Sequence, residues 1–251
     1  MTMANILSLN NFVDRFLSII AFVSGTVWAS FLCLVADRFP QKISIVFPRS
    51  RCDSCHTPLG IQDLVPIASW VSTKGRCAYC HAPIGKTSVF VELALGTFFI
   101  VLFYWRVSLL EKIVFADFVS FGVVLSLIDI RHKRLPHLLT GMAAVTGIVL
   151  QTVRYGSPFL PIEGWFVGAL FLAPLAFFFP GKMGWGDVFW LAAIGTFIGP
   201  IGVVKTIILG SFIGIIFGGA TIVLKKMKTT TIPFGPALFI SGLLVFLGQN
   251  V

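Results

Sequence analysis

Residues 113–129 read Ile113-Val-Phe-Ala-Asp-Phe-Val-Ser-Phe-Gly-Val-Val-Leu-Ser-Leu-Ile-Asp129. The run is almost unbroken in its apolar character and lacks the in-out alternation of a barrel strand. A hydrocarbon core is crossed by about 20 such residues in a helix, so this stretch reads as a transmembrane helix. Comparable runs lie near 16–36, 88–105, 135–153, 162–180, 188–204, 206–224 and 232–249. The expected fold is therefore an all-α polytopic membrane protein of about eight transmembrane helices. The Gly195 to Lys205 stretch leaves the ends of the sixth and seventh spans the least defined.

The composition excludes the other broad classes. Across 251 residues, 57% are hydrophobic and 12% charged, and the mean hydropathy is +0.94. A soluble enzyme, a disordered chain and a collagen-like chain are all ruled out by that balance. The opening run is long for a signal peptide, and Asp37-Arg38-Phe39-Pro40 offers no small-residue cleavage site, so it is expected to remain as a helix.

The net charge of +9 is a topology signal. Loop 37–86 holds seven Lys and Arg, and Arg131, Lys133, Arg134, Lys182, Lys225, Lys226 and Lys228 share its side; only Arg15, Arg106, Lys112, Arg154 and Lys205 lie opposite. Basic residues mark the cytoplasmic side. The large loop is thus expected in the cytoplasm, with both termini outside. No nucleic-acid role is expected, and membrane lipid is the natural neighbour of these bases. Three regions result: a helix at 1–36, a cytosolic loop domain at 37–87 and a membrane core at 88–251.

The loop carries a duplicated unit. Residues 51–60 read Arg-Cys-Asp-Ser-Cys-His-Thr-Pro-Leu-Gly and residues 76–85 read Arg-Cys-Ala-Tyr-Cys-His-Ala-Pro-Ile-Gly. Each Cys-x-x-Cys sets two thiolates on one tight turn. Two such turns complete the tetrahedral sulfur shell that Zn²⁺ favours, so Cys52, Cys55, Cys77 and Cys80 are the expected ligands of a structural zinc in a small ribbon-like insertion. A loop this small holds little core of its own, and a metal would supply folding energy. Cys-x-x-Cys-His is also the attachment pattern for c-type haem, but that chemistry belongs outside the cytoplasm, and no haem is expected. Two disulfides are disfavoured by a reducing cytosol. Cys33 reads as a small packing residue, and His56 and His81 as spare polar groups.

Acidic residues are few, so each one near a span carries information. Asp129 ends the third span, and Asp187, in Gly184-Trp-Gly-Asp187, opens the sixth. Two spans separate them, which returns both to the cytoplasmic face. Two carboxylates brought together at a partly dry site cannot both ionise cheaply, so one keeps its proton while the other serves as base. That suits activation of a water against a peptide carbonyl. Gly184 and Gly186 allow close approach of substrate backbone, and Glu92 in the second span is a further candidate for shaping the site. The bland alternatives are a helix cap for Asp187, an ion pair with Arg131 or Arg134 for Asp129, an interfacial position for Asp117 and a membrane-interface anchor for Trp185.

Taken in order, these features resemble the bacterial type IV prepilin peptidases, membrane aspartic proteases with a Gly-x-Gly-Asp motif. The resemblance runs through Gly25-Thr-Val-Trp-Ala-Ser-Phe-Leu, Arg38-Phe-Pro, both cysteine units, Val65-Pro66-Ile67-Ala68-Ser69-Trp70, Val91-Glu92-Leu93, Ile128-Asp129, Leu135-Pro136, Leu139-Thr140, Gly184-Trp-Gly-Asp187 and Ile232-Pro-Phe-Gly-Pro236. It implies that Asp129 and Asp187 are the catalytic pair and that the four cysteines bind zinc. It also implies removal of a short basic leader from prepilins or pseudopilins after a Gly at the cytoplasmic side of a bacterial inner membrane. Methylation of the new N-terminus with S-adenosylmethionine would follow, though no glycine-rich loop marks a cofactor site. Two positions depart from the family pattern: His137 stands where Asp or Asn is common, and Phe189 where Lys is common. A proton-coupled transporter using the aspartates as a relay, and a non-catalytic zinc-bearing secretion assembly protein, are the readings from other classes.

Overall fold

The computed structural model describes residues 3–179, 183–225 and 233–250, with side chains described over 13–179, 183–216 and 233–249. Among the described residues there are eight α-helices and no β-strand beyond two isolated bridges. They are α1 (Met3–Arg38), α2 (Ala68–Ser72), α3 (Thr87–Tyr104), α4 (Leu109–His132), α5 (His137–Tyr155), α6 (Phe159–Phe178), α7 (Trp185–Lys225) and α8 (Gly235–Asn250). Six are long and apolar enough to cross a membrane, and Gly235–Gln249 is a shorter apolar helix. The chain is a multi-pass helical membrane protein. Lys182, Lys226, Lys228 and Ile232, which entered the charge count and the motif reading, lie outside the described residues.

The chain divides into two compact units, residues 1–106 and 107–251. In the first, α1 packs along α3. A Cβ on Gly25 would lie 2.6 Å from the Leu95 carbonyl oxygen, so the two helices touch backbone to backbone, as small residues permit between membrane helices. The segment between them holds a 3₁₀ turn at Gln62–Leu64 and the short α2.

In the second unit, local sequence signals start and stop each helix. Ser108 and Glu111 form a reciprocal capping box at the start of α4, which satisfies otherwise unpaired helix N–H groups. Lys133, at φ 51°, ends α4 in the left-handed conformation, and its N–H donates to the Asp129 carbonyl at 2.8 Å. Gly156, at φ 69°, ends α5 the same way. Arg154 near that end pairs with Glu111 at 2.7 Å, which sets the end of α5 beside the start of α4. Asp117, expected at an interface, accepts a 2.8 Å hydrogen bond from the Thr146 hydroxyl of α5.

The sixth and seventh spans turn out to be the two arms of α7. The break lies at Gly199, with φ 70° and ψ 178°, followed by Pro200, inside the Gly195 to Lys205 stretch and ahead of position 204, where the sixth span is expected to end. Only glycine adopts that backbone at no cost, and proline removes the next hydrogen-bond donor. Lys205 therefore sits inside the second arm. The arms run in opposite directions along α8. In the first, Ile194 faces Gly242, and Gln249 donates from Nε2 to the Ile198 carbonyl at 3.1 Å. In the second, Gly202 faces Gln249, Gly210 faces Ser241 and Gly214 faces Phe234. A helical hairpin is thus hidden in one nominal helix. Its first arm is packed tightly on α6, where a Cβ on Gly164 would collide with the Gly195 carbonyl oxygen.

Candidate active site and metal centre

Asp129 sits in the last turn of α4, where Lys133 and Pro136 force the chain to stop and re-enter as α5. Its side chain is buried, with 5% exposure, and its Oδ2 accepts the backbone N–H of Gly235 at 2.8 Å. Gly235 is the first residue of α8, so the carboxylate occupies the electropositive end of that helix.

Asp187 lies in the first turn of α7, half-buried, and its N–H donates to the Gly184 carbonyl at 3.1 Å. Its carboxyl is within electrostatic range of Asp129. The two residues, 58 positions apart in sequence, thus come within electrostatic range of each other at one end of the second unit. Gly186 explains part of the registration: a Cβ there would lie 2.7 Å from the Leu135 Cβ, so the α4–α5 link packs directly onto the start of α7. Gly184 is exposed, and its Cα hydrogens face the Asp187 carboxyl, since an added Cβ would lie 3.6 Å from Oδ2. Bare backbone therefore borders the acid.

The two positions that depart from the family pattern touch each other. His137, at the start of α5, packs edge-on to Phe189 with ring centroids 5.1 Å apart, and Trp185 adds a tilted contact to Phe189 at 6.4 Å. Gly235 is the site residue that pattern reading left without a role. Its signal was the Gly235-Pro236 step that opens α8, since proline is favoured in the first helical turn.

Glu92 lies in the first unit. It is buried and accepts the Ile67 N–H at 2.8 Å, with a further hydrogen bond from Ser30. Ile67 holds φ 59°, a costly state for a β-branched residue, so Glu92 secures a strained turn of the loop against α3. Beside it opens a cavity of about 340 Å³ lined by Asp37, Trp70 and Glu92 among others.

The four cysteines gather as their spacing requires. Their Sγ atoms all lie within 4.8 Å of one another. The two turns are near copies: His56 N–H donates to the Cys52 carbonyl and His81 N–H to the Cys77 carbonyl, with φ 57° and 58°. Each is closed by a bridge, Arg51 to Pro58 and Arg76 to Pro83. The Thr57 hydroxyl and backbone pull the Cys55 thiol down to about 6, and the backbone N–H groups of Cys80 and Tyr79 lower Cys77. At Cys80 the Ala82 backbone pulls the other way, but burial and the neighbouring sulfurs prevail and push the thiol up to about 11. Four soft sulfur donors at this separation suit a tetrahedral cation.

Sequence comparison agrees with this organisation. The bacterial peptidase A24 N-terminal domain matches residues 23–107, and the type IV leader peptidase family matches residues 113–219. A type 4 prepilin-like proteins leader peptide-processing enzyme of Escherichia coli O78:H11 is 29% identical, over 90% of this chain and 91% of its own length. Prepilin leader peptidase/N-methyltransferases of Stutzerimonas stutzeri and Bacillus subtilis are 30% and 26% identical, over 84% and 91% of this chain and 76% and 93% of theirs. No solved structure matches. With its paired aspartates, its cysteine cluster and relatives that align over most of both chains, this protein belongs to the type IV leader peptidase family.

Proposed function

We propose that this chain is a membrane aspartic endopeptidase that removes the basic leader of type IV prepilins or pseudopilins after a Gly, at the cytoplasmic side of a bacterial inner membrane. The observation that carries the reading is that Asp129 and Asp187 lie within electrostatic range of each other at one end of the second unit, with Asp129 on the N-terminus of α8. One aspartate, ionised, takes a proton from water as the oxygen attacks the scissile carbonyl. The other, protonated, gives its proton to the carbonyl oxygen. Collapse of the tetrahedral diol breaks the C–N bond, and a proton passes to the leaving amine. Gly184 and Gly186 let the substrate backbone lie against Asp187, and Glu92 shapes the loop that precedes α3. A leader held by basic residues in the cytoplasm, joined to an apolar helix in the bilayer, presents its junction at this depth.

Cys52, Cys55, Cys77 and Cys80 would hold a structural Zn²⁺, whose contribution is to fold the loop. Methyl transfer to the new N-terminal amine, with S-adenosylmethionine as donor, completes the reading. The cavity beside Glu92, lined by Asp37, Asp53, Asp63 and Glu92 together with Arg51 and Arg76, has the volume of a small-ligand site. The donor's methyl would go to the deprotonated amine, leaving the thioether.

The test incubates purified protein with a prepilin. Asp129→Asn and Asp187→Asn are each expected to abolish the mobility shift, a loss on the order of 10³-fold or more for a group that moves a proton in the transition state. Full processing by either variant would remove that residue from the mechanism, and processing by both would leave the transporter or assembly reading. Labelled S-adenosylmethionine reads the second activity, with Glu92→Gln expected to lower it.

A further inference from the structure

Five buried side-chain polar atoms have no hydrogen-bond partner among the described residues: Trp70 Nε1, Ser126 Oγ, Gln151 Oε1, Trp190 Nε1 and Thr206 Oγ1. Two of them flank the aspartates. Ser126 precedes Asp129 by three residues on α4, and Trp190 follows Asp187 by three on α7, so each lies one turn deeper on its acid's own helix face. The register along α8 places them in one layer. Asp129 meets Gly235 and Gly122 meets Phe239, which sets Ser126 between those levels; Ile194 meets Gly242, which sets Trp190 one turn earlier, beside Leu238. Thr206, between Gly202 and Gly210, lies far down the bundle, and Gln151 is at the Gly199 end, where it donates to the Phe197 carbonyl.

The surroundings are buried and largely apolar. Trp190 is 0% exposed and Ser126 9%; Leu125, Ile128 and Leu191 flank them in sequence and are buried, as is Leu238 of α8, while the buried Thr140 of α5 donates its hydroxyl to the His137 carbonyl. An indole N–H and a hydroxyl left unsatisfied in such surroundings are costly, and proteins meet that cost with ordered water or with function.

We infer that Ser126 and Trp190 form a polar floor beneath the aspartate pair and hold one water between them, which donates upward to the carboxyls. The indole can only donate, so the water accepts from Nε1. The hydroxyl donates or accepts, and a remaining water hydrogen is free to reach an Asp129 oxygen on the side away from Gly235. Ser126 and Trp190 are thus positioning residues, acting through the aspartates. This rests on the protease reading above.

The experiment measures prepilin cleavage by the full-length protein in detergent, separating kcat from KM, with melting temperature followed in parallel. Ser126→Ala and Trp190→Phe are expected to lower kcat roughly tenfold or more while KM stays within about twofold, as for a group that orients the catalytic unit without binding substrate. Ser126→Thr keeps the hydroxyl and restores the rate. The double variant falls no further than the worse single one, because both lose the same water. Ile194→Val, one turn deeper, reports what a simple packing loss does. The floor is refuted if Ser126→Thr falls with Ser126→Ala, if the losses multiply in the double variant, or if rate follows melting temperature in all five. Asp129→Asn and Asp187→Asn separate the two claims. If both still cleave, the protease reading falls and the floor with it; if both are dead while the Ser126 and Trp190 variants keep their kcat, only the floor is wrong.

Discussion

Asp129 and Asp187 are held by different means. Asp129 is fixed by a backbone N–H that only proline at position 235 would delete, although bulk there would collide with the carboxylate, since a Cβ would lie 2.8 Å from Oδ2. Asp187 is placed by Gly186 against Leu135. Gly186→Ala must push that link away, and overpacking of this kind costs about 1–3 kcal/mol. We expect cleavage to fall at least tenfold with a lowered melting temperature, which thermal unfolding and the prepilin assay check together. The cysteines give a second prediction at this scale. In protein stripped of metal at pH 7, Cys55 stands above its midpoint of about 6 and is largely thiolate, whereas Cys80, at about 11, stays protonated. Because thiolate fraction outweighs the lower intrinsic reactivity of an acidic thiol, alkylation of Cys55 should lead by roughly ten- to a hundredfold. Peptide mass spectrometry after a short maleimide pulse measures it. The lead shrinks as pH rises above 6, because Cys55 is already ionised while Cys80 still gains thiolate, and it levels off below 6, where both lose thiolate in proportion.

At the scale of elements, the hairpin within α7 decides what the second unit can do. Without the reversal at Gly199-Pro200, the second arm would continue away from α8 and the contacts of Gly202, Gly210 and Gly214 would be lost. Gly199→Ala places a Cβ on a backbone with φ 70° and ψ 178°, at a cost of about 1–3 kcal/mol. The expected result is a lower melting temperature with cleavage chemistry retained at low temperature, because the turn lies at the opposite end of α8 from Asp129. Retained stability would mean the turn relaxes freely. Hydropathy showed that two apolar stretches follow one another here, but not where they fold, since Gly195, Gly199 and Gly202 all interrupt the run. Only the φ that Gly199 adopts, with proline next to it, identifies the corner.

For the whole molecule, the positive-inside bias predicts the side on which the loop lies. A membrane-impermeant maleimide should label the metal-stripped cysteines of loop 37–86 in inside-out vesicles and leave them unlabelled in intact spheroplasts. Labelling from outside would reverse the topology and place the aspartate end where no basic leader waits. Much of the molecule was legible beforehand for physical reasons. A membrane helix announces itself because every lipid-facing residue must be apolar, and a Cys-x-x-Cys pair because two ligands on one turn have few other uses. Sequence alone determined the membrane class, the helices, the cysteine cluster and the candidate acids, all properties that a residue and its near neighbours encode. Tertiary structure alone decided that the N-terminus of α8 caps Asp129, that α7 reverses at Gly199, that His137 meets Phe189, and that Ser126 and Trp190 share a layer. Each of those is a contact between residues far apart along the chain, set by how helices register against one another, and a one-dimensional pattern carries no record of that register.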